Sequence, residues 1–215
     1  MDNKLFDVEA QSLSALDKYK EEYRERVAKN PDYSRYVDIY NTDKKFRVIC
    51  ADPPWKYNDK QDTSKLGGAQ KHYDLMSIKE LCEMPVKNIV KDDAVLFLWT
   101  TAPLLEDSFK IVKAWGFKYK TNFVWNKIRH NMGHYSSVRH EHLLLCTRGS
   151  CMPDVKKLHN SVVSIEKTKR HSEKPIEFLN LIDSIYKGHR YNPKLEMFAR
   201  EPKKDNWYVF GNEIE

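Results

Sequence analysis

"RVICADPPWKYNDK", residues 47–60, is the stretch whose reading decides the fold. Apolar residues run from Val48 to Ala51 and stop at a carboxylate, two prolines and a tryptophan. A short, continuous apolar run bounded by turn residues reads as a strand buried on both faces. Proline cannot extend a central ladder, so the strand ends at Ala51 and Asp52 stands at its carboxyl end.

Outward from this strand, apolar runs alternate with amphipathic segments. Upstream, "LSALDKYKEEYRERVAKN" (13–30) has helical spacing and i,i+4 acid–base pairs, and "PDYSRYVDIYNTDKK" follows as an irregular segment. Residues 1–44 are therefore expected as a helical and irregular extension, and 45–215 as the catalytic domain. Downstream, Ser77 opens a predicted helix over "SIKELCEMPVKNIV". "AVLFLWTT" is a second strand, and "LLEDSFKIVKAWG" a helix closed by Gly116. "YKTNFVWNK", "EHLLLCTRG" and "VVSIEK" read as strands. "KPIEFLNLIDSIY" is a helix with Pro175 in its first turn, and "KLEMFA" and "NWYVFG" are the last strands. This alternation predicts an α/β sheet with helices on both faces, whose ligands bind beyond the carboxyl ends of the strands.

Bulk properties fit one globular domain: 215 residues, 40% hydrophobic and 32% charged. There is no run long enough to span a bilayer and no secretory signal pattern at the N-terminus, so a cytoplasmic protein with no membrane partner is expected. Cys50, Cys82, Cys146 and Cys151 form no CxxC pair and read as free thiols. The net charge of +6 is compatible with a polyanionic partner, and twelve tyrosines and five tryptophans offer stacking surfaces.

The chemistry of "DPPW" follows from its atoms. An ionised Asp only accepts hydrogen bonds, and so does the Pro53 carbonyl, which Pro54 holds in extended geometry. Two fixed acceptors match an NH₂ group. An amine on a heteroaromatic ring is a poor nucleophile because its lone pair is delocalised. Acceptors that draw both hydrogens out of the ring plane would localise and aim that pair, and the carboxylate would stabilise the charge developing on nitrogen. Trp55 adds an aromatic surface.

These residues resemble the adenine-N6 methyltransferases that use S-adenosylmethionine, the family of the catalytic subunit of the eukaryotic mRNA methylating complex and of many bacterial and phage enzymes. The resemblance runs from about Arg35 to the C-terminus through "ADPPW", "HYDLMS", "LFLWTT", "WGF", "VWNK", "GHY…HEHLLLCTRG", "HSEKP", "LEMFARE" and "NWYVFGNE". It implies a Rossmann-like methyltransferase fold with a mostly parallel sheet, and S-adenosylmethionine as cofactor. By the same resemblance Asp52, Pro53, Pro54 and Trp55 are catalytic, with Asp52 also near the cofactor's amino group, and Tyr73 contacts the target base. Lys174 meets the cofactor carboxylate; a cation at a helix N-terminus is a suitable anion site on physical grounds too. Arg200, Asn212 and Glu213 fall on the ribose segment. "SRYVD" resembles the adenine-contacting stretch with its spacing shifted by one, and Asp32 is the candidate there. "EPKK" after Arg200 departs from the mRNA enzyme, which favours the bacterial or phage branch and removes the expectation of cofactor contacts from residues 201–204.

The basic stretch "NKIRHNMGHYSSVRH" (126–140) places Lys127, His134 and Tyr135 as nucleic-acid contacts, and "KTKRH" (167–171) is a second basic cluster. The 56–72 loop reads either as a lid or as a surface excursion. His140 and His142 share a strand face but signal no third ligand, so no metal site is expected. Glu141 is expected near Lys174. DNA is favoured over RNA as substrate, and a homodimer or paired subunit is compatible with the sequence. The alternatives are a non-catalytic nucleic-acid-binding subunit, an RNA adenosine methyltransferase and a cytosine-N4 methyltransferase.

Overall fold

The computed structural model describes residues 15–29, 33–56, 75–129, 135–166 and 173–211. The opening stretch forms β1 (Phe46–Ala51), whose residues are buried except for Arg47. It lies inside a seven-stranded sheet of order β5-β3-β4-β2-β1-β6-β7. The other strands are β2 (Val90–Thr100), β3 (Lys118–Asn126), β4 (His140–Arg148), β5 (Val162–Ser164), β6 (Lys194–Met197) and β7 (Trp207–Phe210). β1 runs parallel to β2 and β6, β6 to β7, and β3 to β5; β4 alone is reversed, antiparallel to both β2 and β3. The fold is thus a mixed α/β, Rossmann-like architecture with a mostly parallel sheet.

Period-2 alternation divides the core. Ile49 and Ala51 of β1 and Leu96 and Leu98 of β2 face one side, with Leu81, Ile111 and Trp115 from the helices that cover it. Val48, Cys50, Val95, Phe97 and Trp99 face the other, against Phe178, Leu179 and Ile182 of α5 (Ile176–Ile185). The remaining helices are α1 (Ala15–Lys29), α2 (Ile78–Glu83), α3 (Val86–Ile89) and α4 (Leu105–Ala114).

The helix predicted as one piece from Ser77 is two. Ser77 caps α2 through a reciprocal box with Glu80. Pro85 then interrupts the ladder and stands at the N-cap of α3, and Val90 already belongs to β2. Gly116, expected at the end of the following helix, has φ 84°, the left-handed conformation of a C-terminal glycine.

The N-terminal extension lies on the β7 edge. Tyr36 bridges to Val209, and Val37 N–H donates to the Val209 carbonyl at 3.0 Å. Tyr23 of α1 packs on Phe210, ring centroids 4.7 Å apart. An otherwise open sheet edge is thereby covered. At the amino edge, Asp183 of α5 ties down β6 and β7: it pairs with the fully buried Lys194 and with Lys204, and accepts from Trp207 Nε1 at 3.1 Å. No helix among the described residues is long and apolar enough to cross a membrane.

Candidate active site

All the parallel strands end on the same edge, and the reversed β4 begins there. Asp52 follows β1, Thr100 ends β2, Lys127 follows β3, Glu141 is the second residue of β4 and Lys174 precedes α5. Four of these side chains form a chain of alternating charge. Lys127 pairs with Glu141, Glu141 Oε2 lies 3.5 Å from Lys174 Nζ, and Lys174 Nζ donates to Asp52 Oδ2 at 2.6 Å. Glu141 thus lies where it was expected. Burial opposes ionisation of Glu141, but Lys174 and Lys127 outweigh it and hold its carboxyl below the ordinary range.

The network rests on aromatic rings. Lys174 Nζ lies 5.6 Å from the Trp99 ring and Lys127 Nζ 5.1 Å from that of Trp125. Trp99 in turn stacks edge-on against Trp125 and Phe178. These contacts fix the lysine stems, so the charges are placed before any ligand arrives. Only at Asp52, whose side chain is 32% exposed, does the chain open toward solvent; those of Lys174 and Glu141 are 15% and 13% exposed.

The "DPPW" turn is held on both sides. Asp52 N–H donates to the Met197 carbonyl at 3.3 Å, and the Pro54 carbonyl accepts from Met76 N–H at 2.8 Å. Pro53 is buried, and its carbonyl accepts from Trp55 N–H at 2.9 Å, leaving one lone pair for a further donor. Trp55 is 6% exposed and packs within the core on the α4 side, so its indole backs the turn rather than standing open to a ligand.

A second carboxylate lies beside Asp52, and the sequence reading passed over it. Glu196 of β6 is in register with Cys50. Burial pushes its carboxyl up to about 7, with Asp52 adding to the shift and Lys203 opposing it. Its Oε2 is buried and has no hydrogen-bond partner among the described residues. The signal was present in "KLEMFA", a lone acid between apolar residues of the strand. A buried acceptor without a donor calls for an explanation, and a donor group on a ligand is one.

Against this cluster lies a cavity of about 550 Å³ lined by Lys174, Pro175, Glu173, Ile165, Glu201 and Lys203, among others. Residues 201 and 203, which the sequence reading had set aside, thus belong to its wall. Lys203 pairs with Glu173 at 3.2 Å. The volume is in the range of small-molecule sites. S-adenosylmethionine carries a carboxylate, an ammonium and a sulfonium; Lys174 in the cavity wall, with Asp52 paired to it, fits the first two.

Arg200 follows β6, close to the end of β7. Phe198, with φ 66°, and Ala199 both donate backbone N–H groups to the Phe210 carbonyl, and a Cβ on Gly211 would lie 2.0 Å from the Ala199 oxygen. Only glycine permits that approach. Lys127 is 7% exposed and turned inward to Glu141, whereas Tyr135 is fully exposed. Asp32, Tyr73, His134, Asn212, Glu213, most of the 56–72 loop and the 167–171 cluster lie outside the described residues. Among the described residues no group of three or more His, Cys, Asp or Glu side chains could hold a metal.

The sequence family described as MT-A70 matches residues 46–213. The chain is 33% identical over 207 residues to "Type II methyltransferase M.MunI" of Mycoplasma sp, covering 86% of this chain and 87% of that protein. It is 26% identical over 190 residues to "N(6)-adenosine-methyltransferase catalytic subunit METTL3" of Homo sapiens, covering 84% of this chain but 30% of that protein. The Drosophila melanogaster "N(6)-adenosine-methyltransferase MT-A70-like protein" is 27% identical over 180 residues, again with 27% of its own length matched.

Proposed function

The chain belongs to the MT-A70 methyltransferase family, and from that premise we propose that it transfers a methyl group from S-adenosylmethionine to the exocyclic N6 amine of adenine in nucleic acid, with DNA favoured over RNA. The observation that carries this reading is Asp52: a partly exposed carboxylate at the end of a central strand, 2.6 Å from Lys174, beside a cavity of about 550 Å³. Its near full-length match to a Type II methyltransferase supports DNA.

S-adenosylmethionine, when bound, supplies a methyl group on a sulfonium centre. Lys174 would take its carboxylate, Asp52 and the unpaired Glu196 oxygen its ammonium, and Arg200, Asn212 and Glu213 its ribose hydroxyls, with Asp32 on the adenine side. Toward the target base, Asp52 and the remaining lone pair of the Pro53 carbonyl accept the two amine hydrogens, and Tyr73 covers the ring. Trp55 and Pro54 hold the turn from behind. Lys127 acts through Glu141, while His134 and Tyr135 meet the nucleic-acid backbone. The Asp52 carboxylate stabilises the positive charge that develops on the attacking nitrogen. In a duplex that amine is base-paired, so the adenine must leave the stack.

Incubating the protein with isotope-labelled donor and separate DNA and RNA pools, followed by nucleoside mass spectrometry, tests the proposal. N6-methyladenine from DNA is the expected product; N4-methylcytosine, or no methylation of either pool, would refute it. Asp52→Ala should abolish transfer and leave the circular dichroism spectrum unchanged.

A further inference from the structure

Ile128 is placed at the rim of the site in a conformation that its side chain disfavours. Its φ is 67°, and it is 44% exposed. The left-handed region suits glycine or asparagine and is a real outlier for a β-branched residue. The turn that imposes it is built, not loose. Arg129 N–H donates to the Lys127 carbonyl at 2.7 Å, closing a three-residue turn of the rare, strained kind centred on Ile128. Asn126 Oδ1 accepts from Ile128 N–H at 3.1 Å, and Asn126 Nδ2 donates to Ser164 Oγ at 3.0 Å. Lys127 N–H donates to the Arg139 carbonyl at 2.7 Å, locking the turn to the segment before β4.

The two neighbouring side chains are sorted by this geometry. Lys127 is buried and pairs with Glu141, which leads through Lys174 to Asp52. Ile128, the next residue, is presented outward. Arg139 and Tyr135 are exposed on the same connection, and Arg129 makes an open surface pair with Glu166 at 3.4 Å. Such a pair is readily exchanged for a phosphate. A strained, braced apolar tip among cations, next to the lysine that begins the charge chain to Asp52, has a physical use. Apolar side chains that enter a base stack hold it open.

We propose that Ile128 is a wedge that enters the duplex where the target adenine has swung out. This rests on the adenine-N6 methylation proposed above. The wedge keeps the emptied position from closing, so the base stays available to Asp52. It is needed only when the substrate is stacked and paired.

The experiment compares the unaltered protein with Ile128→Asn, Ile128→Gly and Ile128→Leu on a random-sequence duplex DNA pool and on the same sequences as single strands, counting N6-methyladenine by mass spectrometry. Asn and Gly accept positive φ more easily than Ile, so their melting temperatures should not fall. Both should lose about tenfold in rate on the duplex, the scale expected when base extrusion is no longer supported, with single-strand methylation unchanged. Leu, which keeps an apolar tip, should retain duplex activity. An Asn variant as active on duplex as the unaltered protein, or equal losses on both pools, overturns the wedge and leaves the methylation standing. Methylation of single strands alone by the unaltered protein also overturns it. Methylation of neither pool overturns both proposals.

Discussion

Glu196→Gln should stabilise the free protein at alkaline pH and disable it as an enzyme. Glu196 is buried against Asp52, and its carboxyl is raised from 4.5 to about 7. An acid whose folded value is raised binds its proton more tightly in the native state than in the unfolded chain. Its contribution is fully present below pH 4.5 and is lost as pH rises through about 7. A shift of this size corresponds to about 3 kcal/mol, since each pH unit is worth about 1.4 kcal/mol. Gln keeps the shape and never ionises. In a chain of this length about 3 kcal/mol is roughly 6–12 °C in melting temperature. Thermal unfolding of the two proteins between pH 4.5 and 8.5 should therefore give curves that nearly coincide at the acid end. They should separate in favour of Gln between pH 4.5 and about 7 and stay apart by the full amount above that. In calorimetry, donor binding to the unaltered protein near neutral pH should release a proton as the ammonium meets Glu196, and Gln should abolish that release. A stability difference independent of pH, or a Gln variant less stable at pH 8, would refute the assignment.

Lys174→Met removes the centre of the charge chain, leaving Asp52 without this cation and Glu141 with Lys127. The pair is half-buried, so the stability loss should lie between the surface and buried extremes, about 1–2 kcal/mol by thermal melting. Donor affinity by calorimetry should fall more than about tenfold, because a charge-assisted hydrogen bond is worth roughly 1.5–3 kcal/mol. At the opposite edge, Asp183→Asn strands the buried Lys194 without its carboxylate. It should cost about 3–5 kcal/mol by denaturant unfolding, while the rate per folded molecule stays unchanged.

What could be read in advance divides by range. β1, its stop at Asp52 and the place of Lys174 at a helix start are local statements, because an apolar run, a proline pair and a helix start are each encoded within a few residues. The meeting of Lys174 with Asp52 is not local. It depends on β1 lying in the sheet interior with α5 packed on the Val48–Cys50 face, which no window of sequence specifies. The reversal of β4 is of the same kind: "EHLLLCTRG" has a buried-strand pattern in either direction, and only the pairing of Thr100 with His142 fixes it. Glu196 was passed over because an acid in a strand is read as the solvent side of an alternation. Here both faces of β6 are covered, and the only uses for a carboxylate are structural pairing or a ligand; its Oε2 has no protein donor among the described residues.

The alternating order Lys127–Glu141–Lys174–Asp52 has a consequence for how transfer could be driven. Two isolated carboxylates and two isolated ammonium groups at this burial would each oppose folding. In alternation each inner charge has an opposite neighbour on either side, and the desolvation cost is offset internally. The end most exposed to solvent is Asp52, whose Oδ2 accepts from Lys174. A donor carboxylate arriving at Lys174 would compete with Asp52 for that cation and free the Asp52 oxygen toward an amine. Binding of the methyl donor would thereby prepare the acceptor of the target base, and a nucleic acid engaged before the donor would meet a carboxylate still held by Lys174. Donor affinity and base affinity should then be positively coupled, by the reciprocity that links any two ligands of one site. Removing the lysine should weaken donor binding and leave base binding independent of the donor.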